Sequence, residues 1–289
     1  YTVWDQVWPK PVAKGDTFEF QRSIEAVHIK PAKVEVHGPF KFMADLSVNN
    51  PERLNLRTGL HINYAIDSAV VDIETEGFSY AGLSFGVTYN TLATRMNLKN
   101  TNDSSTGYGF TAGASSYSNF SNAVISGCRS GFTTGSGACL AVGNLYSDMV
   151  IHRGIPYFNT GAEMTGYGFG GHGNAHSNVY SNITCHNLAT GSSMRDYNAF
   201  VHNCKFFGLG TYAFFLHRTK GVTIENCSLH HQDDVPEKGF ISFRADNVNM
   251  DGTVFVDGCK ATGLTRPFFS LSGYNASKPL RNIKFRNNY

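Results

Sequence analysis

Four basic residues recur at a nearly constant interval: His172 to Arg195 is 23 residues, Arg195 to Arg218 is 23, and Arg218 to Arg244 is 26. If that interval is one turn of a solenoid, the four side chains form a column on one face, spaced about 5 Å per rung. Guanidinium forks pair bidentately with carboxylate and phosphate, so such a column suits an acidic or phosphorylated glycan laid along the axis. His152 or Arg153 would extend it. The competing reading is that these residues end strands at solvated turns and pair with local acids such as Asp196 and Asp246.

Cleaving a glycan needs more than cations. Glycoside hydrolysis takes two carboxyl groups, about 5 Å apart for retention and roughly 6.5–9.5 Å for inversion. The candidates are Asp148, Glu163, Asp196, Asp233 and Asp234. Glu163 lies nine residues before His172, and His186 nine before Arg195, so Glu163 and His186 would be neighbours in adjacent rungs and could act as an acid–base couple. Elimination instead needs a base beside a cation, and His172 with Arg195 fits that requirement. The catalytic set is therefore expected among Glu163, His172 and Asp196, and the binding set among Arg195, Arg218, Arg244 and Tyr167. Tyr108, Tyr117, Tyr180 and Tyr212 are further candidates for stacking on sugar rings. His230-His231-Gln232-Asp233-Asp234 has metal-capable types, but neighbours along a strand point to opposite faces. Neither a metal nor a cofactor is expected.

The elements that must position these residues are legible from repeats. Thr106-Gly107-Tyr108-Gly109-Phe110 recurs as Thr165-Gly166-Tyr167-Gly168-Phe169, and without a gap Ser118-Asn119-Phe120 falls on Ser177-Asn178-Val179. A shorter unit of β-branched, polar, Asn or Gly, then Cys appears at Ile125–Cys128, Val201–Cys204, Ile224–Cys227 and Val256–Cys259. Short apolar strands ending in a basic residue precede three of these, at Phe214–Arg218, Phe240–Arg244 and more loosely Met194–Arg195. A two-strand unit of this length cannot bury its apolar face alone and must stack on its neighbours. The expectation is a right-handed, single-stranded parallel β-helix of about ten rungs, with Cys204, Cys227 and Cys259 as a buried, reduced ladder beside Asn203 and Asn226. The 30 Gly and 25 Asn, spread along the chain, supply the positive-φ turns. At the N-terminus, apolar residues at 20, 24 and 27 after Asp16-Thr17 predict a short capping helix over 16–27. Residues 1–15 then form a linker and 16–289 one β-helix domain.

Several function classes are excluded. With 24 Lys+Arg against 22 Asp+Glu, the charge is too balanced to attract nucleic acid. No apolar run approaches the ~18–20 residues of a membrane span, and residues 1–10 show no leader pattern.

Asp16-Thr17, Phe20-Gln21, Ile24-Glu25-Ala26, Pro31–Val36 and the Gly38-Pro39 turn resemble the cap and first strands of pectin-lyase-like β-helices, most of all the tailspikes and neck appendages of tailed bacteriophages. Gly171-His172-Gly173, Asn178-Val179, Ser181-Asn182-Ile183 and Arg195 with Val201 and Asn203 resemble a rung series of those appendages. The resemblance implies a homotrimeric module of the virion, acting extracellularly, that binds and depolymerises a bacterial surface polysaccharide as a hydrolase or lyase. A non-catalytic receptor-binding module and a secreted polysaccharide lyase are the alternatives. The polygalacturonase motif set is not carried over, because Gly171-His172-Gly173 precedes Gln232-Asp233-Asp234 here and no Arg-Ile-Lys follows.

Overall fold

A computed structural model describes residues 18–20, 24–26, 32–43, 57–101, 107–135, 140–153, 166–217, 219–230, 239–244, 253–272 and 282–289. Every described strand joins one continuous parallel sheet wound into a right-handed β-helix. On its front face the register runs Ile24, Leu60, Leu83, Phe110, Phe132, Phe169, Ser192, Phe214, Ile241, Phe269, which makes ten rungs. The rear face stacks Glu35–Met43, Ala69–Glu76, Leu92–Lys99, Asn119–Ser126, Leu145–His152 and Val179–His186, followed by shorter pairs such as Tyr197–His202 with Lys205–Phe207.

The abundance of Asn now has a physical cause. One in-register column on the rear face, Asp72, Arg95, Asn122, Asp148, Asn182, Asn203, Asn226, Gly258 and Asn287, has positive φ throughout and bends every rung at the same place. Asn and Gly tolerate this conformation best. A second column works by close approach. Gly59, Gly82, Gly109, Gly131, Gly168 and Gly191 share one register, and a Cβ on any of them would come within 2.2–2.6 Å of backbone or core side chains.

The core is an aromatic stack. Phe110 and Phe132 lie 4.6 Å apart and nearly parallel, Phe120 and Tyr146 5.1 Å, and Tyr146 and Tyr180 5.2 Å. Ser192 then occupies the register position that Phe169 and Phe214 hold in the flanking rungs. Phe206 fills the space from the rear face and meets Phe214 edge-on at 5.0 Å. Among the described residues no helix is long and apolar enough to cross a membrane.

Three expectations are corrected. The helix over 16–27 is absent where the chain is described: Phe18–Phe20 pairs with Phe40–Phe42 and Ile24–Ala26 with Leu60–Ile62, as strands. The alternation Phe18, Phe20 and Ile24, Ala26 suits a strand, and an edge already present satisfies the backbone, whereas a short helix must bear its own nucleation cost. Cys204, Cys227 and Cys259 do form a buried column of free thiols, but Cys128 follows Gly127 at a different corner and stands outside it. The gapless repeat also slips: Phe120 stacks on Tyr146, and Tyr146 on Tyr180, so Phe120 aligns with Tyr180 and not with Val179.

Candidate functional site

The outward side of the front face carries two columns. Ser84, Thr111 and Thr133 form a run of hydroxyls in register, continued by Gly170 and Ser193. Beside them run Gly86, Gly113 and Gly135, and the same column continues as His172, Arg195, His217 and Arg244. Over the first three of these rungs the face is a groove enclosing about 460 Å³, with Tyr80 and Tyr108 on one side, Asn63, Tyr64 and Val87 on the other, and His172 at its end. Tyr80 meets Tyr108 edge-on at 5.9 Å, and the Arg57 guanidinium lies 5.4 Å from the Tyr80 ring centre.

The polarity of the floor is specific. Thr111 Oγ1 donates to Ser84 Oγ at 3.0 Å. Thr133 is 5% exposed, and its hydroxyl is buried beside the Tyr167 phenol. Tyr167 is partly exposed with its hydroxyl at the buried end, and burial pushes that phenol up. His172 is partly buried; burial first, then the Arg195 charge, lowers its pKa from 6.5, so the ring is neutral at neutral pH.

His172, Arg195 and Arg244 therefore share one register line, as the spacing predicted. Arg218 lies outside the described residues, and the position aligned with Arg244 is His217. Glu163, Asp233 and Asp234 also lie outside them, in the connections from Leu145–His152 to Tyr167–Gly171 and from Ser228–His230 to Gly239–Arg244. Asp196 does not reach the groove. It is fully buried, and its Oδ2 accepts from Tyr180 OH at 2.6 Å and from Asn178 Nδ2 at 3.2 Å, while Asn178 Oδ1 accepts from Asn144 at 3.1 Å. Burial pushes the Asp196 carboxyl up to about 6 against those hydrogen bonds. A group enclosed in this way cannot touch a polymer on the surface. Tyr180 is likewise core and not a sugar platform. His186 belongs to the rear face, aligned with His152 and stacked on Phe207 at 4.8 Å, which stacks on His230 at 4.9 Å. Asp148 is on that face too, accepting from Asn182 at 3.0 Å. Tyr117, on a corner, is 60% exposed, and the Tyr212 hydroxyl accepts from Arg266 at 3.1 Å. Among the described residues no cluster of His, Cys, Asp or Glu is arranged to hold a metal.

The groove itself was missed in the sequence, though a signal exists. Leu83-Ser84-Phe85-Gly86, Phe110-Thr111-Ala112-Gly113 and Phe132-Thr133-Thr134-Gly135 repeat a buried residue, a hydroxyl, a buried residue and a glycine.

No protein-family model matches the chain, and no curated protein matches it. Solved structures do. The tailspike of E. coli bacteriophage HK620, determined with a pentasaccharide, is 13% identical with a TM-score of 0.60 over 96% of this chain and 54% of its own. The tailspike of Pseudomonas phage LKA1 is also 13% identical, with a TM-score of 0.57 over 89% of this chain and 48% of its own. The chain thus spans about half the length of these tailspikes. It shares their pectin-lyase-like parallel β-helix fold.

Proposed function

We propose that this chain is the polysaccharide-recognition module of a phage tailspike or tail appendage, and that it binds and depolymerises a bacterial surface polysaccharide along its front face. The observation that carries the reading is the continuity of an open, uncharged groove of hydroxyls, tyrosines and glycines with a column of His172, Arg195, His217 and Arg244 on the same strands. Such a surface matches a long, hydroxyl-rich, partly acidic polymer. The saccharide complex of the HK620 tailspike supports it by likeness of fold.

For cleavage, elimination is favoured, because the acid–base group that the described residues place in the groove is a neutral imidazole with a guanidinium one rung away. His172 takes the proton next to a uronate carboxyl, the electrons left behind form the ring double bond, the glycosidic C–O bond breaks with its electron pair, and the leaving oxygen takes up a proton. Arg195 neutralises the carboxylate as negative charge builds on it. Hydrolysis by Glu163 with a second carboxylate is the rival reaction.

Incubation with surface polysaccharides from a bacterial panel tests all of this. Shortened products that absorb in the ultraviolet mean elimination, and new reducing ends without that absorbance mean hydrolysis. Binding without shortening means a receptor-binding module, and a panel that neither binds nor shortens overturns the proposal. A side-by-side homotrimer on the virion, acting outside the cell, belongs to the same reading. The corner bearing Ile66, Tyr89, Leu92 and Tyr117 exposes apolar surface that a second copy would cover. Light scattering that shows only monomer at micromolar concentration would count against it.

A further inference from the structure

The column that changes from glycine to imidazole and guanidinium between Gly135 and His172 says more than that a glycan binds. Gly86, Gly113 and Gly135 give the groove a floor without charge: the Asn63 amide lies over Gly86, and Gly135 is buried against Ala175. One rung rises about 4.8 Å, close to the length of one sugar residue in an extended chain. The groove spans three rungs, each with its own hydroxyl from Ser84, Thr111 or Thr133. Tyr80 and Tyr108 add aromatic surface for the apolar side of a ring. Apart from His172, the described lining has no charged side chain. A carboxylate laid over the glycines would lose water and gain no counter-charge, whereas one rung beyond Gly135 it meets His172 and Arg195.

We infer that the front face reads a heteropolysaccharide in a fixed direction, with an uncharged run of sugars over Gly86, Gly113 and Gly135 and the next acidic sugar at His172 and Arg195. The inference rests on the proposed polysaccharide reading of this face and names its substrate class. A polymer acidic at every residue is a poor fit, and so is a wholly neutral one.

The test uses calorimetric titration of the full chain with three probes: deacylated gellan fragments, in which one uronate separates runs of neutral sugars; the same fragments after carboxyl reduction; and oligogalacturonate, acidic throughout. Gellan fragments are expected to bind more tightly than either of the others. Arg195→Ala should weaken gellan binding by about tenfold and leave the reduced fragments unchanged. Gly113→Val, which puts a side chain into the groove at a position without positive φ, should weaken gellan and reduced fragments alike. Tyr108→Ala should act in the same direction should the valine disturb folding, which a thermal melt will show. If the probes bind but every variant weakens all of them equally, or oligogalacturonate binds best, the division of the groove is wrong while the polysaccharide reading stands. If none of the three binds at millimolar concentration but a panel polysaccharide does, the substrate class named here is wrong. If nothing binds in either experiment, both readings fall.

Discussion

The rungs before and after the junction of Gly135 and His172 share strand register and handedness but differ inside and out. Before it, Phe85 meets Phe120 edge-on, and from Phe110 onward the core rings stack face to face, as Phe110 on Phe132 at an interplanar angle of 8°. After it, the stack runs on through Phe169 to Phe206 at 19° and then turns, with Phe206 and Phe214 at 78° and Phe214 and Phe240 at 75°. Outside, glycine gives way to His172, Arg195, His217 and Arg244. The polar node of Asn144, Asn178 and Asp196 lies at the same level, inside. Because parallel in-register rungs fix only the backbone, each column is free to change residue type without disturbing the next, so a chemical boundary can be placed at any rung.

The strongest way to break this comparison is to cut the stack at its junction. Phe132 contacts Phe110 at 4.6 Å, Tyr146 at 4.9 Å and Phe169 at 5.9 Å, and is fully buried. Phe132→Ala should cost about 3–5 kcal/mol in denaturant unfolding. A cost under about 1 kcal/mol would mean that the stack does not bear on stability at this level.

Next comes the polar node. Folding disfavours the Asp196 carboxylate, so the folded state holds its proton more tightly than the unfolded state, and that contribution is present below about 3.8 and is lost as pH rises through about 6. The rise from 3.8 to about 6 corresponds to roughly 3 kcal/mol. Asp196→Asn stays neutral throughout. Its stability relative to the parent should therefore climb by about that amount between pH 4 and 6 and stay level above. A difference independent of pH would place Asp196 in contact with solvent.

A smaller effect sharpens the contrast in ring geometry. Ser192→Phe restores the residue type of its column, but Phe206 already occupies the space, so overpacking should cost about 1–3 kcal/mol in thermal unfolding. A gain in stability would show that the change of stacking is an accident of one residue and not a packed solution.

How much of this was readable follows from how phase is kept along a solenoid. The ladder of Cys204, Cys227 and Cys259 was legible because the turn before each cysteine has one length, set by Asn203, Asn226 and Gly258. Arg218 was aligned with Arg195 by residue type, yet the strand repeat there is 22 residues, from Ser192 to Phe214, which puts His217 in line. With a side-chain period of two, a slip of one residue exchanges the faces, and sequence alone does not register a turn shortened by one. Asp196 was read as accessible because carboxylates are seldom buried; only three dimensions bring Asn178 and Tyr180 to it. Phe18–Phe20 and Ile24–Ala26 satisfy a helical spacing and a strand alternation together, and the adjacent edge decides between them.

The smallest effect on the fold is expected at the residue with the largest expected effect on binding. Arg195 follows the strand Thr190–Met194 on the far side of the boundary, partly exposed, and exposed ion pairs contribute about 0–1 kcal/mol. Arg195→Ala should thus leave the unfolding midpoint almost unmoved, in contrast with Phe132→Ala one junction away. Affinity for an acidic glycan should drop, and in the parent it should decline as salt rises, since screening shortens the reach of an exposed charge. The two readouts must separate for the comparison to hold. A large loss of stability would make Arg195 a structural member of the rung, and salt-insensitive binding with an unaffected Arg195→Ala would move recognition wholly to the tyrosines and hydroxyls on the glycine side.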